Sequence, residues 1–218
     1  MRARFRLAWV VVVAVGVAIR LGLLLQWPRR LNGDESLVAL MGLHALRGDF
    51  PVFFYGQAYM GAPEAYASAV VYALAGPSAL AAKVVPFLLS CAFIAVTGLV
   101  GHRLAGAPGG VLAALLVAVA PPFLPLYGNY AMLGYVETLV LGTLVLLLAF
   151  DVVTDERGGG RRGRTFLVLG FLAGVGWWVN PLVLSYLAAA GLFLLLGGRL
   201  RSRAAWWTLA PGFVLGSL

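Results

Sequence analysis

Eight acidic residues stand in this chain of 218, and two of them are adjacent, Asp34 and Glu35, in the stretch "LNGDES". They follow about twenty apolar residues. A third, Glu137, sits in "GNYAMLGYVETL", with no soluble surroundings on either side. An ionisable group at that depth is costly in a lipid setting and is by default a functional candidate facing a cavity. A desolvated carboxylate can act as general base toward a hydroxyl, and a pair of them can hold a metal that binds a phosphate leaving group. Asp34, Glu35 and Glu137 are therefore the catalytic candidates. Around them the sequence offers polar and aromatic side chains suited to binding a substrate: Tyr55, Gln57, Tyr59 and Glu64, then Asn129 and Tyr130, then Asn180.

Structural explanations stand beside each of these. Asp34 and Glu35 could cap a helix, since acids suit its first turn. Glu64 follows Pro63, which suits the first position of a helix. Asn180-Pro181 reads as a turn, and Trp177 and Trp178 as an interfacial aromatic belt. His44 falls on the apolar side of its helix and is expected to be packed. No set of Cys and His has metal-ligand spacing, and no glycine-rich phosphate loop is present. No cofactor is called for, although a divalent metal is compatible with the carboxylates.

The elements that must position these residues are membrane helices. The chain is 62% hydrophobic and 11% charged, with mean hydropathy +0.95, where soluble domains carry about 25% charged residues. The expected fold is all-α and polytopic, with about seven spans: 7–27, 78–104, 109–126, 131–150, 165–179, 181–198 and 204–218. Each is judged against the roughly 20 residues that cross a ~30 Å hydrocarbon layer. Arg20, inside the first run, is expected to snorkel to the interface. Cys91 is the one cysteine, inside an apolar run, and reads as a packed thiol. The first run is too long for a signal-peptide core. The chain ends within an apolar run and reads as the N-terminal part of a longer protein.

Segment 28–77 is expected to be an outer loop with two surface helices. Leu37, Leu40, Met41 and His44 recur at i, i+3, i+4 and i+7, marking the apolar stripe of the first. Residues 63–75 form the second, ended early by Gly76-Pro77. Segment 151–164, "DVVTDERGGGRRGR", reads as a cytoplasmic linker. The charge count chooses the sidedness. If 63–75 does not cross, the inner side holds Arg2, Arg4, Arg6, Arg103, Arg157, Arg161, Arg162, Arg164, Arg199, Arg201 and Arg203, eleven cations, and the outer side holds Arg29, Arg30, Arg47 and Lys83, four. If it crosses, the counts reverse. The positive-inside rule selects the first arrangement, with a cytoplasmic N-terminus in the cell membrane. The net charge of +8 is thereby explained by topology, not by nucleic acid.

The acidic pair after an N-in span, the stretch "YGQAYMGAPEAY", the later acid in "GNYAMLGYVETL" and "GFLAGVGWWVNPL" together resemble the C superfamily of membrane glycosyltransferases. The likeness is to the N-terminal half of bacterial members akin to protein O-mannosyltransferases and to the lipid A aminoarabinose transferase. It implies an inverting transfer of a sugar from a polyprenyl-phosphate-linked donor to a lipid, glycan or protein acceptor on the outer face. Asp34 takes the place of the family's first-loop base, Glu35 that of its neighbour, and Glu137 that of the second outer-loop acid. Arg29, Arg30 and Arg47 are local candidates for the donor phosphate. Two other classes stay open: a transporter or flippase component, whose expected repeated halves are not evident, and a non-catalytic membrane scaffold.

Overall fold

A computed structural model describes residues 2–26, 30–132, 134–154 and 160–217. Trp27, Pro28 and Arg29, and Arg157 within 155–159, lie outside them. The described chain is nearly all-α: α1 (Arg2–Gln26), α2 (Gly33–Leu46), α3 (Pro63–Ala75), α4 (Ala79–Ala82), α5 (Val84–Ala118), α6 (Phe123–Tyr127), α7 (Tyr135–Thr154), α8 (Gly160–Val179), α9 (Leu184–Leu196) and α10 (Arg203–Ser217). A two-stranded antiparallel hairpin, β1 (Phe53–Phe54) and β2 (Gln57–Gly61), stands between α2 and α3. The sequence reading had only helices in that loop. "FFYGQAYMG" is rich in aromatic residues on both sides of Gly56, which turns with φ +80°, a hairpin signal that the helical setting concealed.

Among the described residues, three stretches are long and apolar enough to cross a membrane: Arg6–Gln26, Ala79–Ala118 and Tyr135–Thr154. The middle one is two arms, not one rod. Ala105 and Gly106 leave the helical region, Gly106 with φ +67°, a conformation that glycine adopts without a Cβ clash. Beyond it Gly98 meets Gly110 and Gly101 meets Gly109, at distances where an added Cβ would overlap the opposite backbone. The chain therefore doubles back, with 84–104 against 107–118, as expected for the separate runs 78–104 and 109–126. Helix α3 has 13 residues, too few to cross. The loop expected at 151–164 is shorter than the sequence indicates: α7 continues to Thr154 and α8 begins at Gly160.

Residues 1–140 and 141–218 form two compact units. In the first, α1 lies along the α5 hairpin, with Gly16 on Ile94 and Ala118. Helix α2 packs on α3 through Gly42, whose missing side chain leaves room for Tyr72 and Ser68. The buried stripe of α2 is Glu35, Val38, Met41, Gly42 and Ala45, turned from the expected one. Leu40 is exposed, because the close approach at Gly42 decides which face meets α3. Met41 holds the centre, with Phe54, Met60 and Ala131 around it.

In the second unit, Val145, Ala149, Phe166, Leu169, Ala173, Ala190 and Leu194 form the core. Helices α8 and α10 meet backbone to backbone. Gly170 faces the Leu209 carbonyl, Gly174 that of Phe213, Gly212 that of Leu167 and Gly216 that of Phe171. Two GxxxG faces thus interlock in parallel, the small-residue packing that serves where apolar burial gives no drive between helices in lipid.

Candidate functional site

The site is built where α2, α3, the start of α5 and the entry to α7 come together in the first unit. Helix α2 begins with a capping box. The Asn32 side chain accepts from the Glu35 N–H, and Glu35 Oε2 accepts from the Asn32 N–H, both at 2.9 Å. Two of the helix's free donors are satisfied. The sequence shows this pattern as Asn-x-x-Glu, and the cap is Asn32, not Asp34. Glu35 is 1% exposed, and its Oε1 lies 3.0 Å from Lys83 Nζ. Lys83 is itself 3% exposed. It joins α4 to α5, and its ammonium stands 5.1 Å from the centre of the Tyr130 ring, within cation–π range.

Asp34 is one position earlier in the same turn and points the other way: it is exposed. The adjacent pair thus divides into a buried, engaged carboxylate and a solvent-facing one.

Glu64 and Glu137 form the second acidic centre. They are 6% and 8% exposed and line one cavity with Val38, Phe54, Pro63 and Gly134. It has about 10 Å³ of free space, room for one water. Glu137 and Glu64 meet at this cavity, and Glu137 Oε1 has no hydrogen-bond partner among the described residues. Glu64 also acts along its own helix, where Tyr72 is pushed up to about 12, by burial first and then by the Glu64 charge. The expected union of Asp34 and Glu35 with Glu137 takes a different form: Glu137 meets Glu64, and neither residue of the first pair lines that cavity.

Asn129 and Tyr130 line a neighbouring cavity with Leu23, Leu24, Lys83 and Leu126. Asn129 donates to the Arg20 carbonyl at 2.9 Å, and its own oxygen is buried without a partner. Arg20 corrects the sequence reading. It is fully buried, not snorkelling. Its Nε donates to Ser90 Oγ at 2.7 Å, and its terminal nitrogens to the carbonyls of Gly16, Val117 and Ala118 at 3.0–3.3 Å. Val117 and Ala118 end α5, where carbonyls lack intrahelical partners and the dipole favours a cation. The guanidinium, with five donors, ties α1 to both arms of the hairpin.

The remaining candidates have local partners. Tyr55 Oη lies 2.8 Å from His44 Nδ1, so His44 is packed as expected. Tyr59 donates to Gln57 Oε1 at 3.0 Å on the exposed hairpin. Asn180 belongs to the second unit, where its side chain accepts from Leu182 N–H at 2.9 Å and caps the turn Pro181–Val183. Among the described residues, no three His, Cys, Asp or Glu side chains converge as a metal site. Lys83 and Arg20 are what the sequence reading passed over as site-builders. The signal for both was available, a lone cation embedded in apolar sequence.

No protein-family model, curated protein or solved structure matches this chain.

Proposed function

We propose that this chain acts as an inverting membrane glycosyltransferase that uses a polyprenyl-phosphate-linked sugar. Asp34 carries the reading. It is an exposed carboxylate on a helix turn whose other acid is buried, capped and ion-paired. It is thus held in place yet open to an acceptor. In the reaction Asp34 takes the proton of the acceptor hydroxyl. The freed oxygen attacks the anomeric carbon on the face opposite the phosphate, and the carbon–oxygen bond to the lipid phosphate breaks with inversion. The acceptor is a lipid, glycan or protein.

A seven-span arrangement with the N-terminus inside belongs to the same proposal. It is supported by the reversal within α5 and, in the second unit, by two parallel pairings: α8 with α10, and α7 with α9. In the latter, Gly142 meets Tyr186 and Gly197 meets Val153. Lateral access for a lipid donor fits a site at the ends of apolar helices. The test is transfer of label from a panel of radiolabelled polyprenyl-phosphate monosaccharides in membranes containing the full-length protein. Asp34→Asn is expected to lower the rate by roughly 10²-fold or more, as loss of a general base does, with unchanged membrane insertion. A wild-type rate in that variant removes Asp34 from the mechanism.

A further inference from the structure

We infer that Lys83 is a positioning residue: by pairing with Glu35 it fixes the Asp34 turn of α2 against α5, and through Tyr130 it fixes the loop that leads into α7. The inference rests on the glycosyltransferase reading for what is positioned, but its geometry is independent of that reading.

Three observations meet at one ammonium. Lys83 stands at the first turn of the long hairpin, buried to 3% exposure. Its 3.0 Å contact is with the very carboxylate that closes the α2 capping box. Tyr130, on its other side, follows Asn129, which is bonded to α1 through the Arg20 carbonyl. A surface lysine would do none of this, since an exposed pair contributes little and its side chains wander. A buried pair is different. Its net stability is small or negative against an apolar replacement, but removing one partner leaves a charge stranded. Such a pair is explained by what it orients. Here the oriented group is the neighbour in sequence, Asp34, whose own side chain is left in solvent.

The chemistry of the pair also gives the experiment. Glu35→Gln keeps an amide oxygen for the Asn32 N–H, so the capping box survives while the ion pair is lost. Combined with Lys83→Met, it leaves no unpaired buried charge. The double variant separates stability from placement: folding is expected at wild-type level, placement is not. Spin labels at Asp34→Cys and Leu99→Cys, an exposed site on α5, in a Cys91→Ser background and in nanodiscs, read the α2-to-α5 distance. We expect one narrow distribution with the pair intact or with Lys83→Arg, and a broad one with Glu35→Gln/Lys83→Met. In unlabelled protein, the double variant is expected to lower the maximal transfer rate about tenfold while the donor KM stays within twofold. Lys83→Arg is expected to recover most of the rate.

A narrow distribution in the double variant overturns the anchoring. A broad one with undiminished transfer overturns its role in the reaction. Absence of transfer by the wild-type protein across the sugar panel overturns the functional reading instead, and the distance measurement still decides whether Lys83 anchors the turn.

Discussion

Both units of this chain pack helices through glycines, but the first adds buried charged and carboxyl groups that the described residues of the second do not share. In residues 141–218 the helices touch through missing side chains, with glycines of α8 and α10 set against each other's carbonyls. In residues 1–140 glycine contacts at Gly16, Gly42 and the α5 hairpin are joined by buried polar groups: Arg20 across α1 and α5, Glu35 with Lys83, and Glu64 beside Glu137 at one cavity. Glycine faces give close, interchangeable contact and no chemistry. Buried charges and carboxyls cost desolvation and need every partner in place, but they put reactive groups at defined positions. Polar machinery therefore collects in the first unit, and the second is built to pack.

The sharpest way to break this contrast is to add bulk where the second unit has none. An added Cβ at Gly174 would lie 2.1 Å from the Phe213 carbonyl, and backbone cannot yield as a flexible side chain does. Gly174→Leu is expected to abolish the monodisperse peak of the detergent-extracted protein in fluorescence size-exclusion chromatography. Gly22→Leu, at a glycine of α1 with nothing within 4 Å, is expected to leave the peak unchanged. Equal behaviour of the two would mean that α8 and α10 are not interlocked.

The complementary break falls on Arg20. Arg20→Met removes the donor from Ser90 and from the carbonyls of Gly16, Val117 and Ala118. The neutral acceptors left buried without their donor cost about 1–3 kcal/mol each where they find no other partner, a fall in Tm on the order of 10 °C for a domain of this size. Arg20→Lys is expected to fall between, because an ammonium cannot fork across two helix ends as a guanidinium does. A Tm within 2 °C of wild type in Arg20→Met would return Arg20 to the interfacial role that its position in the sequence suggests.

Arg20 also marks how far the sequence can be read. The helical class, the short length of α3 and the break between the arms of α5 follow from apolar run lengths and from Gly-Pro punctuation, which act locally. The hairpin at 53–61 and the face of α2 do not, because each is set by a partner distant in sequence: Gly42 turns α2 toward Tyr72 and Ser68. The same holds at the site. Composition picked out Asp34, Glu35, Glu64 and Glu137 as acids in a chain that has few, but it could not pair them. That Glu35 belongs with Lys83, 48 positions away, and Glu137 with Glu64 is a tertiary fact. The Asn32-to-Glu35 capping spacing was local, and was legible without any partner at all.

The finest test of the contrast uses two asparagines, one in each unit, both 4% exposed. Asn180 bonds to the backbone of its own turn. Asn129 bonds across 109 positions to the Arg20 carbonyl and carries Tyr130 beside Lys83. Losing a cap of this kind costs about 1 kcal/mol, and a single buried hydrogen bond costs about the same. Asn180→Ala and Asn129→Ala are therefore expected to lower Tm alike, by roughly 2–4 °C. Their effects on transfer should separate. Asn180→Ala removes a turn cap within the second unit and should retain the wild-type rate, whereas Asn129→Ala loosens the loop under Lys83 and should lower the rate severalfold. If both variants transfer alike once matched for folded protein, the division of labour between a packing unit and a chemical one is wrong at this position, and the 129–130 loop is no more than a connection between helices.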